Sequence, residues 1–565
     1  MQKKNRKILP DSVKLVWFPV VAVIICCRLF LLPVFSGKQE WTLYALVNGI
    51  KEIRDPYLVM SSSFLGEVFR FLYSLTGRVP WYTLFLFLSG TFSLIAAGHV
   101  LLAIAGSVSG WEENISFLSV YLVFLAFFVP FLCSGFSGAN TACALAAASG
   151  LLLFYAAFFA GRDCRLLFRI LGFCAGALSC MLRFQMMVLC MAVIIIGCLV
   201  FFGTSSRLSP SGNRGFLISV IVCLLIFTGL YAADRYRYGQ DPELTEYRKK
   251  VVLTQQLEDA RMPDYETFKT QYQELGISKS AYDLYSGTGD FDSSVLTPEV
   301  MSELIRLQRR HPLKLSSLTA FFRGLHDRFE EKWYRSGFLI LLGLYLVFGR
   351  KRSRVFAGFL GLQAAFWIIW YLLWCLQIFP VIQTEAGVLL VMSTVCMLWF
   401  FGDSDGFHTN FGVVLGICVL VCCAYFWRGD ARSSNRFFIE RRAGLYNILG
   451  VNGSDREHLY LRTDNVLAYE NILDPFATPA APVAHNTAYL GLQDVSFTGR
   501  KRMKEMFGVE HPYLDLIDNE KVYVIDDSSD WLTRYYRDQY GRKVRAEEVR
   551  KIDDRTVFRF ITDAE

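Results

Sequence analysis

The sequence predicts an α-helical polytopic membrane protein of about eleven transmembrane helices, with an extracytoplasmic helical insert and a small α+β C-terminal domain. Three observations predict it. The 565-residue chain is 53% apolar and 15% aromatic, too hydrophobic for one water-soluble domain and suited to a bundle solvated by lipid. Runs of roughly 20 mainly apolar residues recur along it. When those runs are numbered as crossings, the short loops rich in Lys and Arg all fall on one face, as the bias of basic residues toward the cytoplasm requires.

The first run, 14–35, follows a basic start and has no small-residue cleavage site after it, so it is expected to remain as a span. Further runs lie near 81–105, 115–133, 139–160, 166–182, 185–203, 215–233, 336–349, 355–376, 385–402 and 410–427. Lys3, Lys4, Arg6 and Lys7 start inside, and the even-numbered crossings then bring Arg162/Arg165, Arg207/Arg214 and Arg350, Lys351, Arg352 and Arg354 to the same face. An odd number of spans sends the C-terminus out. The expected organisation is therefore an N-terminal membrane domain at 1–233 of about seven spans, an extracytoplasmic insert at 234–335, about four spans at 336–427 and an extracytoplasmic α+β domain at 428–565.

The first outer loop, 36–80, contains WTLYALVNGI and LVMSSSFLGEVFRFLYSL, stretches too interrupted to span and read as amphipathic helices in the interface. In the tail, KVYVID and TVFRFIT have strand character around a helix at DWLTRYYRDQY. All 15 cysteines lie between Cys26 and Cys423, and none falls in the hydrophilic insert or tail. An exterior of this size without disulfides points to a bacterial cell membrane. The 58 Lys and Arg against 51 Asp and Glu are too balanced and dispersed for a nucleic-acid partner.

Ionisable residues at membrane depth are expensive and tend to face a cavity or a partner. Arg28, past the middle of the first span, either pairs with an anion or snorkels to the headgroups. His99, Gln363 and Glu385 are weaker candidates of the same kind. Arg183 is the one charge in the very short outer loop CMLRFQ, where it either holds a phosphate or anchors to lipid. Glu40 in SGKQEW and Asp55 in IRDPY are carboxylates at the mouth of the bundle, either general bases toward an acceptor hydroxyl or solvated loop acids. Asp234, Asp241, Asp290 and Asp292 read as ordinary loop acids, and GTGDFD lacks the ligand count of an EF-hand. The sequence supports no cofactor; a divalent metal is conceivable but has no ligand motif behind it. NGS at Asn452 is a sequon of consequence only in a glycosylating host. The absence of Walker, HExxH and GxSxG motifs removes the usual support for cytoplasmic ATPase and protease readings.

A first span followed by an acidic outer loop, then DPYLVMSSSFLGEVFRFLYSL leading into VPWYTLFLF, resembles bacterial GT-C-type glycosyltransferases of surface-polysaccharide systems. DYETFKTQYQELGISKSAYDLY and HPYLDLIDNEKVYVID look like this group too. Its members carry an acidic pair after the first helix, where this chain reads Gln39-Glu40 and keeps one carboxylate. The resemblance implies transfer of a sugar from a polyprenyl-phosphate carrier to a surface glycan or lipid-linked acceptor on the outer face. It assigns proton abstraction to Glu40 and the lipid phosphate to Arg183 and Arg28, while Asp55 stands as a second catalytic candidate by its position in the same loop. The single carboxylate weighs against a metal-dependent site. Other functions carried by the same layout are a lipid-linked sugar flippase, disfavoured by the lack of internal symmetry, and an inactive envelope-assembly scaffold.

The topology is open to a direct check. Protease added to intact cells should remove the tail; a fully protected tail would contradict an odd number of crossings.

Overall fold

A computed structural model gives the fold and describes residues 13–36, 38–49, 54–105, 111–204, 210–260, 262–287, 292–309, 334–348, 353–375, 385–403, 439, 442, 452, 454–463, 474–476, 486–492, 495–552 and 555–563. The described chain is mostly helical, with a small sheet near its C-terminal end. It forms two compact units, one of Met1–Val34, Thr83–Ala233 and Leu313–Arg436, the other of Phe35–Tyr82, Asp234–Pro312 and Phe437–Glu565.

In the first unit, composition drives long apolar helices. Four described helices are long and apolar enough to cross a membrane: Trp81–Ala105, Gly138–Phe158, Asp163–Phe201 and Arg214–Tyr238. Shorter apolar helices occupy Phe117–Pro130, Arg335–Val347, Phe356–Ile369 and Gly387–Phe401. The run expected at 14–35 is a helix at Phe18–Phe30 after a π-helical turn at Val13–Trp17, and the run at 410–427 lies outside the described residues. Ile218, Ile221 and Leu225 are exposed together on one helix. A contiguous apolar surface of this kind is compatible with a lipid surround.

The helix Gly138–Phe158 is rich in Ala, Gly and Ser and buried along almost its whole length. Small side chains let neighbouring backbones approach closely, and hydroxyls then bridge them. Ser149 Oγ donates to the Gly172 carbonyl at 2.7 Å and Ser179 Oγ to the Ala142 carbonyl at 2.6 Å, so the helix runs antiparallel to the segment 172–179. Gly150 meets Ile194 instead, and a Cβ there would stand 2.4 Å from Ile194 Cγ2. The chain has therefore turned back between these contacts. It does so at Arg183, whose backbone is non-helical (φ −154°, ψ 91°) inside the stretch Arg162–Thr204. The two runs expected at 166–182 and 185–203 are thus the arms of a helical hairpin, each about 30 Å long.

In the second unit, five strands form a sheet: β1 Leu459–Arg462, β2 Thr487–Tyr489, β3 Val522–Asp526, β4 Val544–Ile552 and β5 Arg555–Thr562. Their order is β2-β1-β3-β5-β4, with β1 parallel to both β2 and β3 and the remaining pairs antiparallel. KVYVID and TVFRFIT supply β3 and β5, and DWLTRYYRDQY forms the helix Asp530–Tyr540 between them. Alternate residues Leu459, Leu461, Val522, Val524, Phe558 and Phe560 point into a core. That core also takes Leu257, Tyr272, Ala281 and Leu304 from the insert, so insert and tail bury their apolar faces together.

Asp292 pins the same junction. It is 1% exposed, and its Oδ2 accepts from Tyr535 Oη at 2.9 Å and Tyr540 Oη at 2.5 Å, while Oδ1 takes the Ser294 amide at 2.8 Å. An acid that composition marks as an ordinary loop residue is a buried acceptor for two phenols. Removing it takes the carboxylate acceptor from both hydroxyls. Asp292→Ala should destabilise the second unit by about 2–4 kcal/mol, read as a lowered thermal midpoint.

Candidate functional site

Glu40 lies in the helix Lys38–Asn48 and is 4% exposed. Its Oε2 accepts from Tyr82 Oη at 2.7 Å, and Phe69 packs edge-on against the Tyr82 ring. The carboxylate is held by this hydrogen bond inside the fold, not solvated in a loop.

Asp55 is 1% exposed and has a different task. Its Oδ1 accepts the Tyr57 amide at 2.9 Å and its Oδ2 the Thr498 amide at 3.2 Å. Thr498 is in the first turn of the helix Phe497–Phe507, whose N-cap Ser496 accepts from Gly499. The first amides of a helix have no partner within it and carry partial positive charge, so Asp55 caps the tail helix from the first loop. The loop itself rests on Gly66 in the helix Ser63–Leu75, where a Cβ would stand 2.1 Å from the Pro56 carbonyl oxygen. Only glycine admits so close a backbone.

Beside this loop the second unit gathers polar groups that composition leaves unremarkable. Asp234 is 5% exposed, and its Oδ1 accepts Ser62 Oγ at 3.1 Å, the Ser63 amide at 2.8 Å and Ser63 Oγ at 2.7 Å. Arg237 pairs with Glu67 at 2.5 Å and lies over the rings of Tyr57 and Phe64. Tyr238 meets the Tyr57 ring edge-on at 5.6 Å and carries the Arg248 guanidinium over its face at 4.3 Å. Asp234, Arg248, Tyr247 and Asp55 are the ionisable neighbours of its hydroxyl. In the helix Pro242–Ala260, burial and then the repulsion of Arg500 push the Lys250 ammonium down to about 8. Just before β1, Asp455 is held down at about 2, because hydrogen bonds from Tyr460, the Glu457 amide and His458 outweigh the burial that would raise it.

The remaining candidates divide. Arg28 is half-buried in the last turn of the helix Phe18–Phe30, and Arg183 is half-buried at the turn of the helical hairpin, followed by Phe184 stacked on Tyr231 at 4.1 Å. His99 accepts from Trp17 Nε1 at 3.1 Å, a packing contact. Gln363 is buried with its Nε2 3.6 Å from Cys396 Sγ. Asp241 accepts the Glu243 and Leu244 amides and so starts the helix Pro242–Ala260. Asn452 is fully buried. Asp290 and the side chain of Glu385 lie outside the described residues.

Two signals for Asp234 were present in the sequence, and none for Tyr238. A carboxylate near a helix C-terminus opposes the helix dipole and needs some other reason to be there, and Ser61-Ser62-Ser63 is a run of donors waiting for an acceptor. Among the described residues, no group of three or more His, Cys, Asp or Glu could hold a metal ion. Comparison with protein families, characterised proteins and solved structures gives no match to this chain.

Asp55→Ala should lower the stability of the second unit by about 1–2 kcal/mol through loss of the cap, measured by thermal unfolding.

Proposed function

We propose that the chain is a GT-C-like membrane glycosyltransferase that moves a sugar from a polyprenyl-phosphate donor to a surface glycan or lipid-linked acceptor on the outer face of a bacterial cell membrane. The observation that carries this reading is Glu40: a carboxylate near the start of the first loop, 4% exposed and oriented by the Tyr82 hydroxyl. A general base works only when its lone pair is fixed toward the proton it takes, and a buried, hydrogen-bonded carboxylate meets that requirement better than a solvated one.

In the proposed step, the acceptor oxygen attacks the anomeric carbon of the donor sugar as Glu40 removes its proton. The bond from the anomeric carbon to the phosphate oxygen breaks, and its electron pair leaves with the polyprenyl phosphate. The charge that develops on that phosphate calls for guanidinium donors, which bind phosphate oxygens through two parallel hydrogen bonds. Asp55, with both oxygens engaged by amides, is assigned the positioning of the loop and not the proton.

The test uses purified wild type and Glu40→Gln in proteoliposomes with radiolabelled sugars on polyprenyl phosphate. Wild type should transfer, and the variant should lose about 10²–10⁴-fold in rate while keeping its thermal midpoint. Full activity in the variant removes Glu40 as the base, and no transfer by wild type from any donor overturns the reading.

A further inference from the structure

We propose that Asp234 and Tyr238 form a subsite for a neutral, hydroxyl-bearing ligand, a sugar hydroxyl group. Tyr238 is 2% exposed, and its hydroxyl has no hydrogen-bond partner among the described residues. A buried hydroxyl left unpaired is unfavourable, and native folds keep one chiefly where a ligand or an ordered water completes it. Asp234 stands among the groups around that hydroxyl. Three donors from Ser62 and Ser63 converge on its Oδ1, which fixes the carboxylate.

The chemistry of the pair selects the ligand. Tyr238 can donate and Asp234 can accept, and an alcohol is the group that satisfies both at once. Charge excludes the alternatives. A metal cation is opposed by Arg248, whose guanidinium lies 4.3 Å from the centre of the Tyr238 ring. A phosphate or carboxylate is opposed by Asp234 and Asp55, both almost fully buried. A neutral polyol meets neither objection, and the Tyr57 ring, edge-on to Tyr238 at 5.6 Å, adds an aromatic surface of the kind that sugar C–H groups pack against.

The choice of a sugar over another alcohol rests on the glycosyl-transfer reading, in which the acceptor presents hydroxyl groups. The pairing of donor and acceptor does not depend on it.

The experiment is saturation-transfer NMR on the full-length protein in detergent, with glucose, galactose, N-acetylglucosamine and lactose as probes. Wild type should bind at least one of them, and Tyr238→Phe and Asp234→Asn should each weaken that binding about tenfold or more. Lys279→Ala, a surface change in another helix, should leave it intact. Tyr238→Phe removes only an unpaired oxygen, so its thermal midpoint should be unchanged or higher than that of wild type. This combination, lower binding with no loss of stability, is what a structural role does not produce. Absence of binding by every probe overturns the subsite. So does binding by Tyr238→Phe equal to wild type with a lowered midpoint, which identifies a hydroxyl satisfied by buried water. Sugar binding without transfer from any polyprenyl-phosphate donor would support the subsite while rejecting the enzyme, which separates the two claims.

Discussion

A carboxylate taken out of water must find donors, and Asp234 finds them in Ser62 and Ser63. Much of the second unit is arranged around that requirement. The serines open the helix Ser63–Leu75, which presents Gly66 to the Pro56 carbonyl, and this close approach fixes the turn that carries Asp55. Asp55 in turn caps the helix Phe497–Phe507. Three segments far apart in sequence, the first loop, the start of the insert and the tail, are joined by a chain of acceptors and amides. The two end links are carboxylate oxygens on backbone or hydroxyl donors, and the middle one is the packing of Gly66 on Pro56.

The apolar core reinforces the same assembly from the other side. Insert helices and the sheet share one buried cluster, and Asp292 receives Tyr535 and Tyr540 where they meet. Neither the insert, with short helices broken by Pro263 and Pro298, nor the tail has to bury its apolar surface alone. Small domains gain most from such sharing, because the fraction of surface buried rises with size.

Much of this was legible in the sequence. Apolar length marked the long helices, and alternation marked β3 and β5, because both are local consequences of which face must be buried. The reversal at Arg183 was legible as one charge between two apolar runs. The polar links were not. Asp234, Asp292 and Asp55 look like solvated loop acids until the chain brings Ser63, Tyr535 and Thr498 to them across 171, 243 and 443 residues. Hydropathy reports burial of apolar faces and is silent on which distant donor satisfies a buried acid. β1 and β2 escaped for a related reason: LYLR and TAY are too short for alternation to register.

The central claim is that the first loop, insert and tail are held as one body through Asp234 and Asp55. Hydrogen exchange at the Ser63 and Thr498 amides tests it most directly, since each donates to one of those carboxylates. Both amides should be slow in the wild type, and Asp234→Asn should speed them together. Fast exchange at either amide in the wild type, or a Thr498 amide that stays slow after Ser63 is released, contradicts it.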